Sequence, residues 1–429
     1  MSPSAAWWFT EDLVDALDLY LARQSEGGTR DSEGVFTISA ERALDKLATH
    51  QLPRTSAWIL KMVQAGVVAS ASGMWVTHGT RNCKLRYTEG RFGSLEQIRE
   101  AWVEPVPISE QVHRHLSVGL RTVAFARRRP VLLVHNCPEQ GLRSLFWDGS
   151  SLSRIGPAGD HVRDHLTPGE FVVYVSGSPL GRDEAVKKNH GVSSDTASEF
   201  KELTNNAVCC PVPLWADSRP ISHFGVEDVS MIRKSLAFSA QHSIPGQPSL
   251  LLPPPLSKSC GFQQAGLAWT LYHSTRPEVS RLCWVKDGVV CEEEHLSLYP
   301  ANFQVRLFAS ADDLEADLTE LQLRFPGPEL RQQRTAAAVL GFCQELSPTS
   351  QLLSEISKSH KIESEGNWGM ATLLVLGGLL FAPVTSGYSF LISLGVAARQ
   401  AFKRPEKIKV APELVGFVTQ LQNRYHRHE

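Results

Sequence analysis

The chain has 429 residues, 42% of them hydrophobic and 21% charged, and its formal net charge at pH 7 is −2. This near-neutral balance excludes a general electrostatic attraction to nucleic acid, so no nucleic-acid partner is expected. Because single hydrophobic cores stop growing near about 250–300 residues, the length predicts two domains.

Residues 1–34 contain a short amphipathic helix followed by a polar, Gly-rich linker. The helix is acidic and no positive n-region precedes it, which argues against a secretory signal.

The eight cysteines form no C-x-x-C pair and have no histidine at zinc-finger spacing. The sequence therefore predicts neither a zinc site nor a disulfide scaffold, but reduced thiols. Cys209 and Cys210 are interpreted as small buried residues rather than as a redox pair.

Residues 35–222 alternate helical and strand patterns, which predicts an α+β sandwich with antiparallel neighbours. A helix is expected over 55–72, and the period-two runs that follow it predict a hairpin. Ser94 and Gln97 form a capping box for the next helix. The basic run Arg127–Arg129 is interpreted as the cap of a helix over 109–128. The remaining elements are strands near 130–135, 142–147 and 170–176, a helix over 196–207 and a strand over 211–217.

Residues 223–325 are predicted to form a second, smaller α/β domain. Its clearest signal is Asp287-Gly288 between two apolar runs, which is typical of a β-hairpin. A strand over 302–310 and a helix over 312–323 are expected to follow. Residues 326–365 then have the pattern of a helical connector.

Residues 366–398 contain no charged side chain, and so long an apolar run is typical of membrane contact. Pro383 and Gly387 divide the run into two arms that are each short for a full crossing. The basic tail, 399–429, indicates a cytoplasmic C-terminus. We expect a helical hairpin or in-plane insertion at the cytoplasmic face of a membrane, in contact with lipid. One kinked span and a buried helical hairpin are the alternatives.

The stretches "ERALDKLATHQLPRTSAWILKMVQAGVVASASGMWV", "HLSVGLRTVAFARRRPVLLVHN" and "ASEFKELTNNAVCCPVPLWADSRPI" follow one another in a characteristic order. Between Phe36 and Asp217 this order resembles the ATP-binding domain of the GHKL superfamily, the Bergerat fold. The resemblance is greatest to bacterial relatives of the ninety-kilodalton heat-shock chaperone. Residues 223–325 resemble the transducer domain that usually follows. The resemblance thus implies a Bergerat-type sandwich followed by a transducer-like domain, and the apolar run adds the expected C-terminal helical hairpin.

In active members of that superfamily the first helix carries E-x-x-x-N, where the carboxylate activates water and the amide helps to hold magnesium. The matching positions here are Lys61 and Ala65. A protonated lysine cannot accept a proton from water, and alanine offers no oxygen to a hard cation. The resemblance therefore implies no catalytic residue and no metal site at these positions.

The other nucleotide-binding motifs are also altered. In "TEGRFG", Thr88 stands at the position of the family's adenine-binding aspartate, with Glu89 beside it and Gly90 retained. Gly119 is the remaining lid glycine, and Gly169 is followed by Glu170 where the family has threonine. Such a carboxylate would repel phosphate. These degenerate pocket positions imply that neither ATP nor another cofactor is bound.

Three functions remain open from the sequence. The favoured one is a pseudo-ATPase that serves as a membrane-associated binding or assembly module, with an unidentified protein partner and a possible homodimer. The second is an ATPase or nucleotide-gated chaperone that uses shifted residues and binds ATP and Mg²⁺. The third is an effector whose apolar segment inserts into a membrane when the soluble body releases it.

Overall fold

The computed structural model describes residues 48, 51–79, 82–103, 110–158, 166–177, 194–221, 227–228, 233–241, 243–244, 246–253, 264–296, 301–316, 321–347, 353, 356 and 410–425. The helix expected within 1–34 and the apolar segment 366–398 lie outside these residues. Among the described helices, none combines the length and the apolar character that a membrane crossing requires.

The N-terminal half of the described chain is built on an eight-stranded mixed sheet. Its strands are β1 (Gly73–His78), β2 (Cys83–Thr88), β3 (Val131–Cys137), β4 (Gly141–Trp147), β5 (Gly156–Pro157), β6 (Phe171–Val175), β7 (Leu214–Ala216) and β8 (Arg219–Pro220). They lie in the order β5-β4-β3-β6-β2-β1-β7-β8. Only the β1–β7 pair among them is parallel. The α+β architecture expected from the sequence is therefore confirmed.

Four helices share an apolar core with this sheet. They are α1 (Trp58–Val68), α2 (Leu95–Val103), α3 (Gln111–Arg121) and α4 (Ser194–Asn206); α3 continues into a π-helical turn over Thr122–Ala126. The capping box before α2 is confirmed. The Ser94 N–H donates to Gln97 Oε1 at 2.9 Å, and the Gln97 N–H donates to Ser94 Oγ at 3.3 Å. The two bonds give a partner to the backbone N–H groups of Ser94 and Gln97, which have no acceptor within the helix.

A second, six-stranded sheet has its own core. Its strands are β9 (Glu227–Asp228), β10 (Arg233–Gln241), β13 (Leu267–Glu278), β14 (Arg281–Lys286), β15 (Val289–His295) and β16 (Ala301–Ser310), in the order β15-β14-β16-β13-β10-β9. A two-stranded sheet of β11 (Leu250–Leu251) and β12 (Gln264–Ala265) lies between β10 and β13 in sequence. The predicted β14–β15 hairpin is confirmed, with Asp287 and Gly288 at φ +49° and +76°. Positive φ at both turn residues matches the right-handed twist of the paired strands.

The expected helix over 312–323 is wrong in its described part. Glu315–Ala316 forms β17, which pairs antiparallel with β18, Leu323–Arg324. The side chains of Leu314, Leu321 and Leu323 are buried in this segment. Packing of these leucines against the two cores outweighs the modest helix propensity of an acidic, leucine-rich segment.

Two C-terminal helices complete the second core: α5 (Pro328–Glu345) and α6 (Val410–Tyr425). The helices contact each other, and the Cys343 thiol lies 3.7 Å from the carbonyl oxygen of Val418. Phe417 of α6 also packs near Phe303 of β16. Helices on both sides of the apolar segment, α5 before it and α6 after it, therefore pack into the same hydrophobic core.

Candidate functional site

The inner face of α1 carries two polar side chains, Lys61 and Gln64, that are fully buried. Both lie close to the tip of the β14–β15 hairpin. Gln64 Nε2 donates a hydrogen bond to the carbonyl oxygen of Lys286 at 3.0 Å. A Cβ atom added to Gly288 would meet Pro211 Cδ at 2.6 Å and Val67 Cγ2 at 3.2 Å. The hairpin tip is thus in direct contact with α1 and covers its polar residues.

The turn residue Asp287 links the hairpin to α3. Its Oδ2 atom lies 3.1 Å from Nε2 of His115, and the exposed fractions of the two side chains are 15% and 7%. Burial by itself would raise the pKa of Asp287. The hydrogen bond from His115 and the charges of Lys286 and Lys61 outweigh burial and hold the pKa below its ordinary value. The charged carboxylate of Asp287 therefore connects the domain of the six-stranded sheet to the domain of the eight-stranded sheet.

We expect the free energy of unfolding of the Asp287→Asn variant to change less with pH in the acid range than that of the wild type. Because the folded pKa of Asp287 is lowered, its stabilising contribution is complete above the unfolded pKa of about 3.9 and is lost as the pH falls through the folded value. Urea unfolding of wild type and variant, repeated at several pH values below about 5, measures this. The wild type should lose stability more steeply. Parallel pH profiles would show that the Asp287 contact is energetically unimportant.

The nucleotide-binding positions expected on α1 and α3 are packed together. Ala65 is fully buried. A Cβ atom added to Gly119 would meet Met62 Cε at 2.6 Å, the Trp58 carbonyl oxygen at 3.2 Å and Lys61 Cβ at 3.4 Å. Gly119 therefore lets two helices approach closely, and side chains already occupy the space beside it.

The remaining predicted positions lie at the end of β2 or beside it. Thr88 Oγ1 lies 2.8 Å from Ser72 Oγ. Glu89 has a positive φ of 56°, and Gly169 (φ +86°) lies close to it, because an added Cβ atom would stand 3.9 Å from Glu89 Cα. At Gly90 the Phe92 ring already occupies the position of a Cβ atom, at 2.2 Å.

Glu170 has a structural role that the sequence analysis missed. Its carboxylate accepts hydrogen bonds from Arg86 Nη2 at 2.6 and 2.8 Å and from the Thr167 N–H at 2.9 Å. The side chain is 4% exposed. The charge of Glu170 is therefore compensated by the guanidinium of Arg86.

A shallow cleft of about 470 Å³ opens beside the Gly90 segment. Arg91, Gly93 and Gln97 line one side, and residues at the start of α3, including His113, line the other. The ring of His113 is held by Glu110 Oε2 at 3.0 Å and by the Phe92 carbonyl oxygen at 3.1 Å. Among the described lining residues, the cleft thus places the cationic Arg91 near the acidic Glu110 and the hydrogen-bonded ring of His113.

In the basic run after α3, Arg129 makes contacts far from the end of the helix. Arg129 is 3% exposed, and its Nη1 atom lies 2.5 Å from Glu199 Oε1. The same oxygen accepts a hydrogen bond from Trp58 Nε1 at 2.7 Å. The interpretation of Arg129 as a helix cap is therefore wrong: it is one half of a buried ion pair with α4. No local pattern indicates this, because its partners come from distant parts of the chain.

The interpretation of the vicinal cysteines is confirmed. Cys209 and Cys210 are free thiols with 1% and 0% exposure. Burial raises the pKa of both thiols, that of Cys210 to about 12. Thiols that remain protonated and inaccessible are poor nucleophiles, so burial disfavours redox chemistry at this pair.

Comparison with known proteins leaves the family open. No protein-family model matches the chain, and no curated protein matches it. Among solved structures, the chain is similar to the B subunit of the DNA gyrase from Myxococcus xanthus, at 10% identity and a TM-score of 0.41. That match covers 68% of this chain and 90% of the gyrase chain. It gives no support to a position nearest the chaperone branch.

Proposed function

We propose that this chain is a GHKL-type scaffold that has lost nucleotide hydrolysis and acts through protein contacts. The observation that carries the proposal is the burial of Lys61 and Gln64 beneath the β14–β15 hairpin. In an active enzyme of that type, the corresponding helix must present a carboxylate to water beside bound nucleotide. Here the same helix presents a lysine and holds the second domain.

The packing at Gly119 supports the same conclusion. Backbone amides can approach a phosphate only where no side chain stands in the way. The space beside Gly119 holds Met62 and Lys61 instead.

We further propose that the scaffold works at the cytoplasmic face of a membrane through residues 366–398. A single crossing would place α5 and α6 on opposite sides of the bilayer, whereas these helices are in contact. Their contact favours a segment that leaves and returns on one side, as a hairpin or an in-plane insertion does. Failure of the full chain to float with anionic vesicles would refute this membrane role.

Calorimetric titration of the full chain with ATP and Mg²⁺ tests the loss of nucleotide chemistry. We expect no binding heat at millimolar nucleotide, because the α1 face is covered and Ala65 offers no oxygen to a magnesium ion. Circular dichroism of the same sample shows that the protein is folded. Binding in the micromolar range, corresponding to about −8 kcal/mol, would contradict the proposal.

A second candidate function, nucleotide binding at shifted residues, has one observation in its favour. The cleft beside Gly90 has a volume of about 470 Å³ and contains Arg91. Ligand pockets of about 300–1,000 Å³ accommodate small molecules. If the titration shows heat, Arg91→Ala should abolish it for this candidate, while Arg154→Ala, at an arginine outside the cleft, should leave it unchanged.

A further inference from the structure

His78, Cys83 and Glu199 converge where β1 ends and β2 begins. His78 and Cys83 are partners in the register of the β1–β2 hairpin, and Glu199 comes from α4. One ring nitrogen of His78, the Cys83 sulfur and one carboxylate oxygen of Glu199 lie within 4.8 Å of one another. Cys83 and Glu199 are each 1% exposed, and the His78 side chain is 4% exposed. The three donors thus meet in a place that is closed to bulk water.

Two buried atoms of this cluster have no hydrogen-bond partner among the described residues: Nε2 of His78 and Oε2 of Glu199. Nδ1 of His78 is already engaged, at 2.9 Å from Asp217 Oδ2. With its proton on Nδ1, the ring presents a lone pair at Nε2. Buried acceptors without a donor are costly and rare in folded proteins. A bound cation would satisfy both atoms at once.

The residues around the cluster have the arrangement of a metal site's supporting groups. A carboxylate that accepts from the second ring nitrogen orients a metal-binding histidine and raises its basicity. Asp217 has this position, and its Oδ1 atom also accepts a hydrogen bond from the backbone N–H of His78 at 2.7 Å. Glu199 Oε1 is held by Arg129 and Trp58, which leaves Oε2 free. The charges of a divalent ion and Arg129 would be balanced by one thiolate and two carboxylates.

We propose that His78, Cys83 and Glu199 bind one divalent transition-metal ion, with zinc the best match. Imidazole nitrogen, thiolate sulfur and carboxylate oxygen are all zinc ligands, whereas magnesium and calcium prefer oxygen alone. Donors around one tetrahedral zinc ion stand about 3.4–3.6 Å apart, given its usual bond lengths. The three donors, which lie within 4.8 Å of one another, would therefore move closer together when they bind one ion. Three protein ligands leave a fourth position for water.

Metal binding must displace the proton of the thiol. Burial raises the pKa of Cys83 well above its ordinary value, and the charge of Glu199 raises it further. The free thiol is therefore protonated at neutral pH. A zinc ion at the sulfur stabilises the thiolate, so one proton is released for each ion bound.

Cobalt(II) titration of the full chain, after treatment with a chelator, tests the site. Cobalt bound to a thiolate produces a sulfur-to-metal charge-transfer absorption, and added zinc should remove it. We expect this band in the wild type and its loss in Cys83→Ser. The matched control is Cys137→Ser, which removes a half-buried free thiol elsewhere on the sheet and should retain the band. Circular dichroism confirms that each variant is folded.

Asp217→Asn provides a second variant, because it leaves all three donors in place. We expect its zinc affinity to fall by about 10- to 100-fold, as is typical when the partner of a metal-binding histidine is lost. The absence of a band in the wild type, its persistence in Cys83→Ser, or unchanged affinity in Asp217→Asn would each overturn the proposal. None of these results depends on whether the protein binds nucleotide.

Discussion

Replacing Arg129 with methionine is expected to lower the free energy of unfolding by about 3–5 kcal/mol. The change leaves the carboxylate of Glu199, which is 1% exposed, without its guanidinium partner. A buried charge that loses its counter-ion keeps its desolvation cost and loses its compensation. The Trp58 indole N–H remains as a donor, but one neutral hydrogen bond cannot replace an ion pair. Urea unfolding at neutral pH measures the difference.

Arg143→Met is the matched control for this prediction. Arg143 also pairs with a glutamate, Glu96, but the two side chains are 29% and 41% exposed. Exposed ion pairs contribute about 0–1 kcal/mol, so this variant should remain near the wild type. A chelator is present throughout, because a metal ion could otherwise compensate Glu199. Equal effects at both arginines would show that burial of the Arg129 pair is unimportant.

The double variant Arg129→Met, Glu199→Gln separates the causes of that loss. If an uncompensated charge is responsible, neutralising Glu199 should recover part of the stability. If lost packing of the arginine is responsible, the double variant should be no more stable than Arg129→Met. The stability of the double variant relative to Arg129→Met therefore distinguishes an uncompensated charge from lost packing as the cause.

Placing a carboxylate at position 61, where the proposed GHKL resemblance would put a catalytic glutamate, is expected to destabilise the protein rather than to create an ATPase. Lys61→Glu places a negative charge at a fully buried position. The charge of Lys61 lowers the pKa of Asp287, so the two groups interact, and two carboxylates would repel each other there. We expect a loss of about 3–5 kcal/mol, the range for a buried charge without a partner. Chemical unfolding and an ATP hydrolysis assay measure the two outcomes.

Lys61→Met is the control, because it keeps the length of the side chain and adds no negative charge. It should cost less than Lys61→Glu, since Asp287 retains its hydrogen bond to His115. A Lys61→Glu protein that is as stable as Lys61→Met would contradict the buried contact with Asp287. If it also hydrolysed ATP, the α1 face would be a nucleotide site and the scaffold proposal would fail.

The elements that could be predicted are those set by local periodicity and turn chemistry. The β1–β2 and β14–β15 hairpins, α2 with its capping box and most of α1 and α3 follow from residues close in sequence. The helix expected over 312–323 failed because its leucines are fixed by contacts with distant strands. Local propensity is weak beside such packing.

The candidate sites were harder to predict than the fold. The resemblance singled out Lys61 and Ala65 on α1, but the sequence did not show that Lys61 is buried beside a hairpin. His78 and Cys83 have no zinc-finger spacing, and Glu199 belongs to a helix far along the chain. Only the sheet register and the packing of α4 bring these three donors together.

The sequence by itself determined the α+β class, the principal hairpins and the presence of Lys61 and Ala65 on α1. These features depend on the identity and the spacing of neighbouring residues. The tertiary structure alone decided which polar groups are paired when buried. Arg129 with Glu199, Arg86 with Glu170 and His115 with Asp287 join residues that are distant in sequence. The cost of burying an unpaired charge makes such partners necessary, but no local pattern indicates which residues they will be.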